Sequence, residues 1–328
     1  MKISYIIPAY NAEKCIADCI NSILRITVFE KEIIVVDDGS FDKTAETVSA
    51  FSDKSIKLIR TENKGVSSAR NTGINNSTGD YIVFCDADDL EISDAWNSFF
   101  EEFVLSKDLY MFDYVRYLKD GREERKSDVK NARPSDILNR FFDIPFCRNY
   151  KAEYLAGRVF SFIYNRKFIE SNNIRFDEDI SYAEDLLFCI KCLKNVKDFE
   201  ILDKCLYEYR YCEQSAVNKY RPGFWEEQMK VLNMASKTVP GICKMPNEVK
   251  YQYGKNVLEN IIAYVDNGKD RKSLFREAVL NGEFNEAVRN MTYNNWTLKE
   301  KMYIDMCAKK NYRWLYMYHW LKKLSKKI

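Results

Sequence analysis

The stretch YIVFCDADDL, residues 81–90, drives a five-residue apolar run straight into three carboxylates, Asp86, Asp88 and Asp89. Like charges this close repel one another, so packing alone does not select the arrangement. A short apolar run bounded by polar residues reads as a buried strand, here with the acids at its carboxyl end. Upstream, KISYIIPAY (2–10) and EIIVVDD (32–38) have the same form, and SIKLIR (55–60) is a shorter version. Between them lie three helical patterns: AEKCIADCINSIL (12–24) with Asn11 as its candidate N-cap, FDKTAETVSAF (41–51), and GVSSARNTGINNS (65–77). Strand–helix alternation at this pitch predicts right-handed crossovers and an α/β fold, a mostly parallel sheet flanked by helices. In such sheets ligands bind beyond the carboxyl ends of the strands. Three polar clusters then open on one crevice: Ala9-Tyr10-Asn11, Asp37-Asp38-Gly39-Ser40 and Asp86-Ala87-Asp88-Asp89.

If strand geometry persists through Ala87, Asp86 and Asp88 project to one side. Two hard oxygen ligands at a sheet edge suit Mg2+ or Mn2+, which complete their shells with water and substrate phosphates. The competing reading is a solvated loop of acids capping the helix that starts near Ser93. DDGS (37–40) likewise reads as a strand-to-helix cap with Ser40 at the N-cap.

At 328 residues, 46% hydrophobic and 30% charged, the chain has material for one large domain and a smaller one. Its net charge of +2 hides an asymmetry. Residues 307–328 hold seven Lys/Arg and no acid, whereas the first 306 carry 44 basic and 49 acidic groups. An acidic body argues against nucleic acid as a partner, and a basic tail points to an anionic surface. MKISYIIPAYN is too polar for a signal peptide, and no window approaches the ~20 apolar residues of a membrane-spanning helix. The ten cysteines are therefore expected as free thiols in a reducing cytoplasm. Cys189 and Cys192 form a CxxC, but within the helical pattern EDLLFCIKCLKN (184–195), and Cys205 and Cys212 are spaced unlike a zinc knuckle.

Past residue 106 the alternation loosens. LYMFDYVRYLKDGREERKS (109–127) predicts a hairpin turning at Asp120-Gly121. A helix is expected after Pro134, FSFIYNRKFIESNNIRF (160–176) reads as wholly or partly helical, and KCLYEYRYC (204–212) as a strand. From about Tyr220 the pattern is helical. This gives an α/β domain over 1–215 and a helical region over 216–328.

SYIIPAYN, EIIVVDDGSFDKT, NKGVSSARNTGINNSTGDYIVFCDADD and, much later, AEDLLF together resemble glycosyltransferase family 2, the inverting nucleotide-sugar transferases of GT-A fold. The likeness covers residues 1–90 in order and spacing and resumes around 160–215. Each motif is common alone; four in this order are specific. No GxGxxG follows the first strand, which disfavours a Rossmann dehydrogenase. The resemblance implies a GT-A, Rossmann-like domain and assigns roles by position. Ala9, Tyr10 and Asn11 would line the base and ribose. Asp38, with Asp37 behind it, would accept the N3–H of uracil or thymine, a task that suits an acceptor-only carboxylate. Lys64, Arg70 and Asn71 would face the nucleotide and sugar. Asp86 and Asp88 correspond to the DxD motif that holds Mn2+ or Mg2+ on the diphosphate, with Ala87 close to the donor. Arg210, in YEYRYCEQSAV (207–217), is a candidate for the diphosphate, an exposed charged strand being the other reading.

Inverting transfer is one in-line displacement that needs a base on the acceptor hydroxyl. The single histidine, His319, lies in the basic aromatic tail, so a carboxylate is expected in that role. By position in the family, Asp185 of AEDLLF (183–188) is the base, and Glu184 contacts the acceptor or backbone. The alternative is a helix N-terminus that favours acids through its dipole. Polysaccharide-building members often carry a Trp-Asn-Lys-like stretch where this chain has Phe160, Ser161 and Phe162, which leaves the acceptor side open.

In NYRWLYMYHWLKKLSKKI (311–328), helical spacing puts Trp314, Met317, Leu321, Leu324 and Ile328 on one stripe and Lys322, Lys323, Lys326 and Lys327 largely opposite. Aromatics beside a lysine cluster suit a helix lying in a membrane interface. Docking on the protein itself or on a partner copy is the alternative. The combined expectation is a metal-dependent glycosyltransferase of the cytoplasm, peripheral at the inner face of the plasma membrane. It would move a sugar from a nucleoside diphosphate, UDP foremost, to a saccharide or polyprenyl-linked saccharide in surface-polysaccharide or lipopolysaccharide assembly. Two rivals are a catalytically silent GT-A module binding nucleotide or glycan, and a sugar nucleotidyltransferase. The latter wants a glycine-rich basic phosphate loop, which PAYNAEKC (8–15) is not.

Overall fold

The structure, a computed structural model, describes residues 1–118, 121–125, 131–142, 157–210, 219–292 and 296–325. The chain divides into two units, Met1–Phe141 with Tyr150–Cys212, and Phe142–Asn149 with Glu213–Ile328. The boundary expected at 215/216 falls outside the described residues.

The first unit opens with β1 (Lys2–Ala9), α1 (Ile16–Leu24), β2 (Glu30–Asp37), α2 (Thr44–Ser49), β3 (Ile56–Arg60), α3 (Val66–Asn76) and β4 (Tyr81–Phe84). These four strands pair in parallel in the order β3-β2-β1-β4. The chain first builds to one side of β1 and then returns to its other side, so the sheet's switch point lies between β1 and β4, where open α/β sheets bind ligands. Ile33, Ile34, Val35 and Val36 of β2 are all fully buried, as a strand covered on both faces requires. On one face, α3 sits so close to β1 that a Cβ on Gly73 would stand 2.2 Å from Cγ2 of Ile6. On the other, Trp96 is packed edge-on against Tyr5, Phe29 and Phe112 and stacked on Phe100.

The unit continues through β5 (Leu90–Glu91), α4 (Ser93–Phe100), β6 (Leu109–Leu118), β7 (Gly121–Arg125), α5 (Pro134–Leu138), β8 (Phe162–Asn165), α6 (Arg166–Ser171), α7 (Glu184–Asn195) and β9 (Phe199–Tyr209). The full sheet order is β3-β2-β1-β4-β8-β6-β9-β5, with β7 on β6. Beyond the parallel half it is mixed: β8 runs antiparallel to β4 and β6, while β6 and β9 are parallel. The β6–β7 pair is the expected hairpin, its Asp120 lying outside the described residues.

Residues 160–176 are helical in part: a 3-10 turn at Val159–Ser161 leads into β8, and Asn165 then caps α6 by accepting the Phe168 N–H. Two local expectations are corrected. Asn11 caps no helix. It stands at φ 51°, a left-handed conformation asparagine tolerates, and α1 begins only after Cys15. Nor is Ser40 an N-cap, because α2 starts at Thr44, whose N–H donates to the Asp42 carboxylate at 3.0 Å.

The second unit holds α8 (Phe224–Thr238), α9 (Pro246–Tyr264), α10 (Gly268–Leu280), α11 (Gly282–Arg289), α12 (Leu298–Ala308) and α13 (Tyr312–Ser325). Its core is aromatic, and α9 approaches α11 so closely that a Cβ on Gly254 would strike the Phe284 ring. His319 is buried here with Nε2 2.7 Å from the Tyr303 hydroxyl, and burial holds its pKa down at about 4. Its tail lysines are engaged: Lys322 pairs with Glu259, and Lys323 donates to the Ile262 and Ala263 carbonyls near the end of α9. Met317, Leu321 and Leu324 face outward. Lys326, Lys327 and Ile328 lie outside the described residues. Among the described residues, no helix is long and apolar enough to cross a membrane.

Candidate active site

The crevice is laced together where β1 and β2 end. The Asp38 N–H donates to the Ala9 carbonyl, the Asn11 N–H to Ser40 Oγ, and the Phe41 N–H to Asn11 Oδ1. Tyr10 is thereby left 46% exposed, edge-on to Phe41, whose ring is 88% exposed. These two open aromatic faces stand beside the switch point. Phe41 carried no signal in the sequence beyond its place after DDGS.

The two acids of DDGS are turned inward. Asp37 accepts the Ser40 N–H and the Arg60 Nε–H. Asp38 receives the backbone N–H of Lys64 on Oδ1 and that of Gly65 on Oδ2, at 2.9 and 2.8 Å. It thus satisfies amide donors at the start of α3, which begin without partners in any helix. A base N–H would have to share an oxygen already occupied. Lys64 takes part here through its backbone N–H.

Arg70 and Asn71 both have partners within the protein. The buried Arg70 guanidinium donates to Asp86 Oδ1 and to Glu184 Oε1, both at 2.9 Å, and rests 5.3 Å from the centre of the Phe176 ring. A buried charge needs such partners, and two carboxylates hold this one. Asn71 exchanges hydrogen bonds with the Phe176 backbone and donates to Glu178. It fixes the segment leading to α7.

The three acids of DADD separate in role. Asp89 is 1% exposed; the Tyr207 hydroxyl donates to its Oδ2 at 2.6 Å and the Arg210 N–H to its Oδ1 at 2.8 Å. The same hydroxyl accepts the Asp86 N–H at 3.1 Å. Tyr207 therefore stitches the loop after β4 to the end of β9, and Phe160 stacks on its ring at 4.3 Å. Neither Tyr207 nor Asp89 was singled out from the sequence as a paired lock, since they are 118 residues apart. Only Asp86 and Asp88 remain half-buried at the crevice, flanking the buried Ala87. Burial, then the Asp86 charge, raises the pKa of Asp88. Arg70 offsets part of the Asp86 charge through Oδ1, and an all-oxygen pair of this kind fits a hard divalent cation. Arg210 reaches Asp18 at 3.3 Å, an exposed pair that solvent weakens.

Across Arg70 stands the start of α7. Glu184 is tied to the guanidinium, whereas Asp185 receives only the N–H of its neighbour Leu186 among the described hydrogen bonds. Burial, then Glu184, pushes the Asp185 carboxyl up to about 7, with Arg70 opposing. Ala183, just before it, holds a left-handed φ of 56°. Such strain persists where surrounding contacts enforce it. Arg158 lies 5.5–5.9 Å from the rings of Tyr114, Phe160 and Tyr209, so the departure at 160–162 contributes an aromatic wall. Cys189 and Cys192 are buried in α7, and every described cysteine is a free thiol.

A parallel half-sheet with two half-buried acids beyond β4 and a second carboxylate pair across one arginine has the architecture of a glycosyltransferase domain. The sequence matches the family Glycosyl transferase family 2 over residues 4–168, and the chain belongs to that family. It is 30% identical over 323 residues to the uncharacterized glycosyltransferase EpsJ of Bacillus subtilis, covering 93% of this chain and 92% of that protein. Over a shorter span, 92 residues or 28% of this chain and 36% of the relative, it is 44% identical to WfgD of Escherichia coli. WfgD is described as a UDP-Glc:alpha-D-GlcNAc-diphosphoundecaprenol beta-1,3-glucosyltransferase. Among solved structures, Staphylococcus aureus TarS in complex with UDP-GlcNAc matches at TM-score 0.60 and 18% identity, over 99% of this chain and 92% of that one. That likeness establishes the GT-A fold.

The Tyr207 stitch makes a specific prediction. Tyr207→Phe strands the buried Asp89 Oδ2 and frees the Asp86 N–H. The urea midpoint should fall at unchanged m-value, by an amount equivalent to about 1–3 kcal/mol. A midpoint equal to that of the wild type would show that the hydroxyl holds nothing.

Proposed function

We propose that this chain is an inverting, metal-dependent glycosyltransferase using a UDP-sugar donor and a saccharide or lipid-linked saccharide acceptor in cell-surface polysaccharide assembly. The observation that carries the reading is that the buried Arg70 ties Asp86, next but one to the half-buried Asp88, to Glu184, whose neighbour Asp185 has a raised pKa. The donor's diphosphate lies toward Asp86 and Asp88, and its base and ribose lie along Ala9, Tyr10 and Asn11. Asp86 and Asp88 would hold Mg2+ or Mn2+, which would supply Lewis-acid stabilisation of the leaving diphosphate. Asp185 accepts the acceptor hydroxyl's proton as the new glycosidic C–O bond forms and the anomeric bond to the diphosphate breaks. Arg70, tied to Asp86 and Glu184, fixes the two halves relative to each other, and Arg210 is within reach of the diphosphate. The activity of WfgD and the UDP-GlcNAc complex of TarS support a UDP donor, and WfgD supports a lipid-linked saccharide acceptor. A silent binding module would have no use for a carboxylate poised near neutrality. A nucleotidyltransferase would consume a sugar phosphate and a nucleoside triphosphate. Incubation with a panel of UDP-, GDP- and dTDP-sugars separates the three. Slow hydrolysis of a UDP-sugar, stopped by EDTA, is expected; no turnover of any donor, with UDP still bound, would favour the silent module.

The same reading puts the protein at the inner face of the plasma membrane through α13. The outward Met317, Leu321 and Leu324 would enter the interface, while Lys322 and Lys323 hold the helix to α9. Vesicles containing anionic lipid should therefore sediment the protein at low salt. Leu321→Glu should abolish sedimentation, because it sets a charge among the inserting side chains. Equal sedimentation of both proteins would overturn the membrane assignment.

A further inference from the structure

We propose that the helical unit carries a second saccharide site, separate from the transferase crevice, in the cleft bounded by α8, α9 and α10. The cleft is open, with a volume of about 850 Å3, and Tyr220, Arg221, Phe224, Asn260, Arg276 and Glu277 line it. Its size falls in the range of built small-molecule sites. One wall is held rigidly: Asn260 accepts the Arg221 N–H and donates to the Lys219 carbonyl, which pins the segment carrying Tyr220. Beside it the Arg221 guanidinium lies 5.9 Å from the centre of the Phe224 ring. The Tyr220 phenol is held above its ordinary pKa by burial and by the Glu277 carboxylate, so these two polar groups lie within electrostatic reach of each other.

The lining selects the ligand class. Two arginines are balanced by two carboxylates, Glu226 and Glu277, so a phosphate or nucleotide entering the cleft would meet carboxylates as well as cations. An uncharged ligand with an apolar face and a rim of hydroxyls fits better. Aromatic rings accept the C–H face of a pyranose, while amide, guanidinium and carboxylate groups pair with its hydroxyls in both donor and acceptor senses. Such a site would keep a growing glycan attached to the enzyme between transfers, an effect of local concentration. The biological role rests on the transferase reading; the binding itself does not.

Saturation-transfer NMR with triacetylchitotriose and laminaritriose, β-linked GlcNAc and glucose trisaccharides, tests the site on the full chain. At least one should receive saturation and remain bound when UDP and Mn2+ are added. Arg276→Ala and Glu277→Ala, both at exposed positions of α10, should weaken it at least fivefold and leave UDP affinity unchanged. The proposal is overturned if neither trisaccharide binds, if UDP displaces the sugar, or if both variants bind like the wild type. Loss of UDP binding with sugar binding retained would instead overturn the transferase reading alone.

Discussion

Asp185→Asn should lower turnover by a factor on the order of 10² or more while nucleotide affinity stays within about threefold, roughly 0.6 kcal/mol. The substitution keeps size and hydrogen-bonding capacity but cannot take the acceptor's proton. Asp185 makes no described contact with Asp86 or Asp88, so the donor side should not respond. The pH profile adds a second signature. A carboxyl pushed up to about 7 by burial is protonated and idle below that pH and competent above it. The wild-type rate should therefore climb with pH and level off above about 7, and the residual rate of Asp185→Asn should lack this limb. Glu184→Gln is the neighbouring control. It removes the charge from one of the two ties on Arg70 but leaves an oxygen to accept its N–H, and should be milder. An active Asp185→Asn beside a dead Glu184→Gln would move the base one residue earlier.

Asp88→Asn should instead remove metal-dependent nucleotide binding. The metal's ligands come partly from Asp86 and Asp88 and partly from the diphosphate, so each partner completes the other's site. Calorimetry of the wild type should find UDP bound more tightly with Mn2+ than in EDTA. In Asp88→Asn that difference should shrink by at least the roughly 10- to 100-fold seen when even the partners of metal ligands are lost. The two proteins should be alike in EDTA. Equal UDP affinity in Mn2+ and EDTA for the wild type would count against Asp86 and Asp88 as metal ligands.

The donor half of the fold was legible because its information is local. Apolar runs such as Ile33–Val36 announce buried strands, and the acids at 86–89 announce where one ends. Pairing information is not local. Whether Arg70 points to a ligand or joins Asp86 to Glu184, 114 residues away, depends on how α7 returns to the sheet. Asn71 and Phe176 meet across 105 residues, and Tyr207 and Asp89 across 118, with nothing in their immediate neighbours to signal either contact. Motif position does not say which partners these residues satisfy. The same limit explains β8, whose four residues FIYN carry too short a pattern to separate strand from helix. In α13, periodicity put lysines and apolar residues on different sides, but not which side packs. Lys322 and Lys323 find an acid and open carbonyls on α9, so theirs is the packed side.

The central claim is a single displacement at the anomeric carbon, driven by a base on the acceptor's side. The most direct test is a proton NMR time course with whichever α-linked UDP-sugar the enzyme consumes, recorded before the released or transferred sugar can equilibrate. The account predicts that the first product signal is the β-anomer, and that it disappears from the early spectra of Asp185→Asn. An α-anomer appearing first would mean retention of configuration and would contradict the assignment of Asp185 as the base.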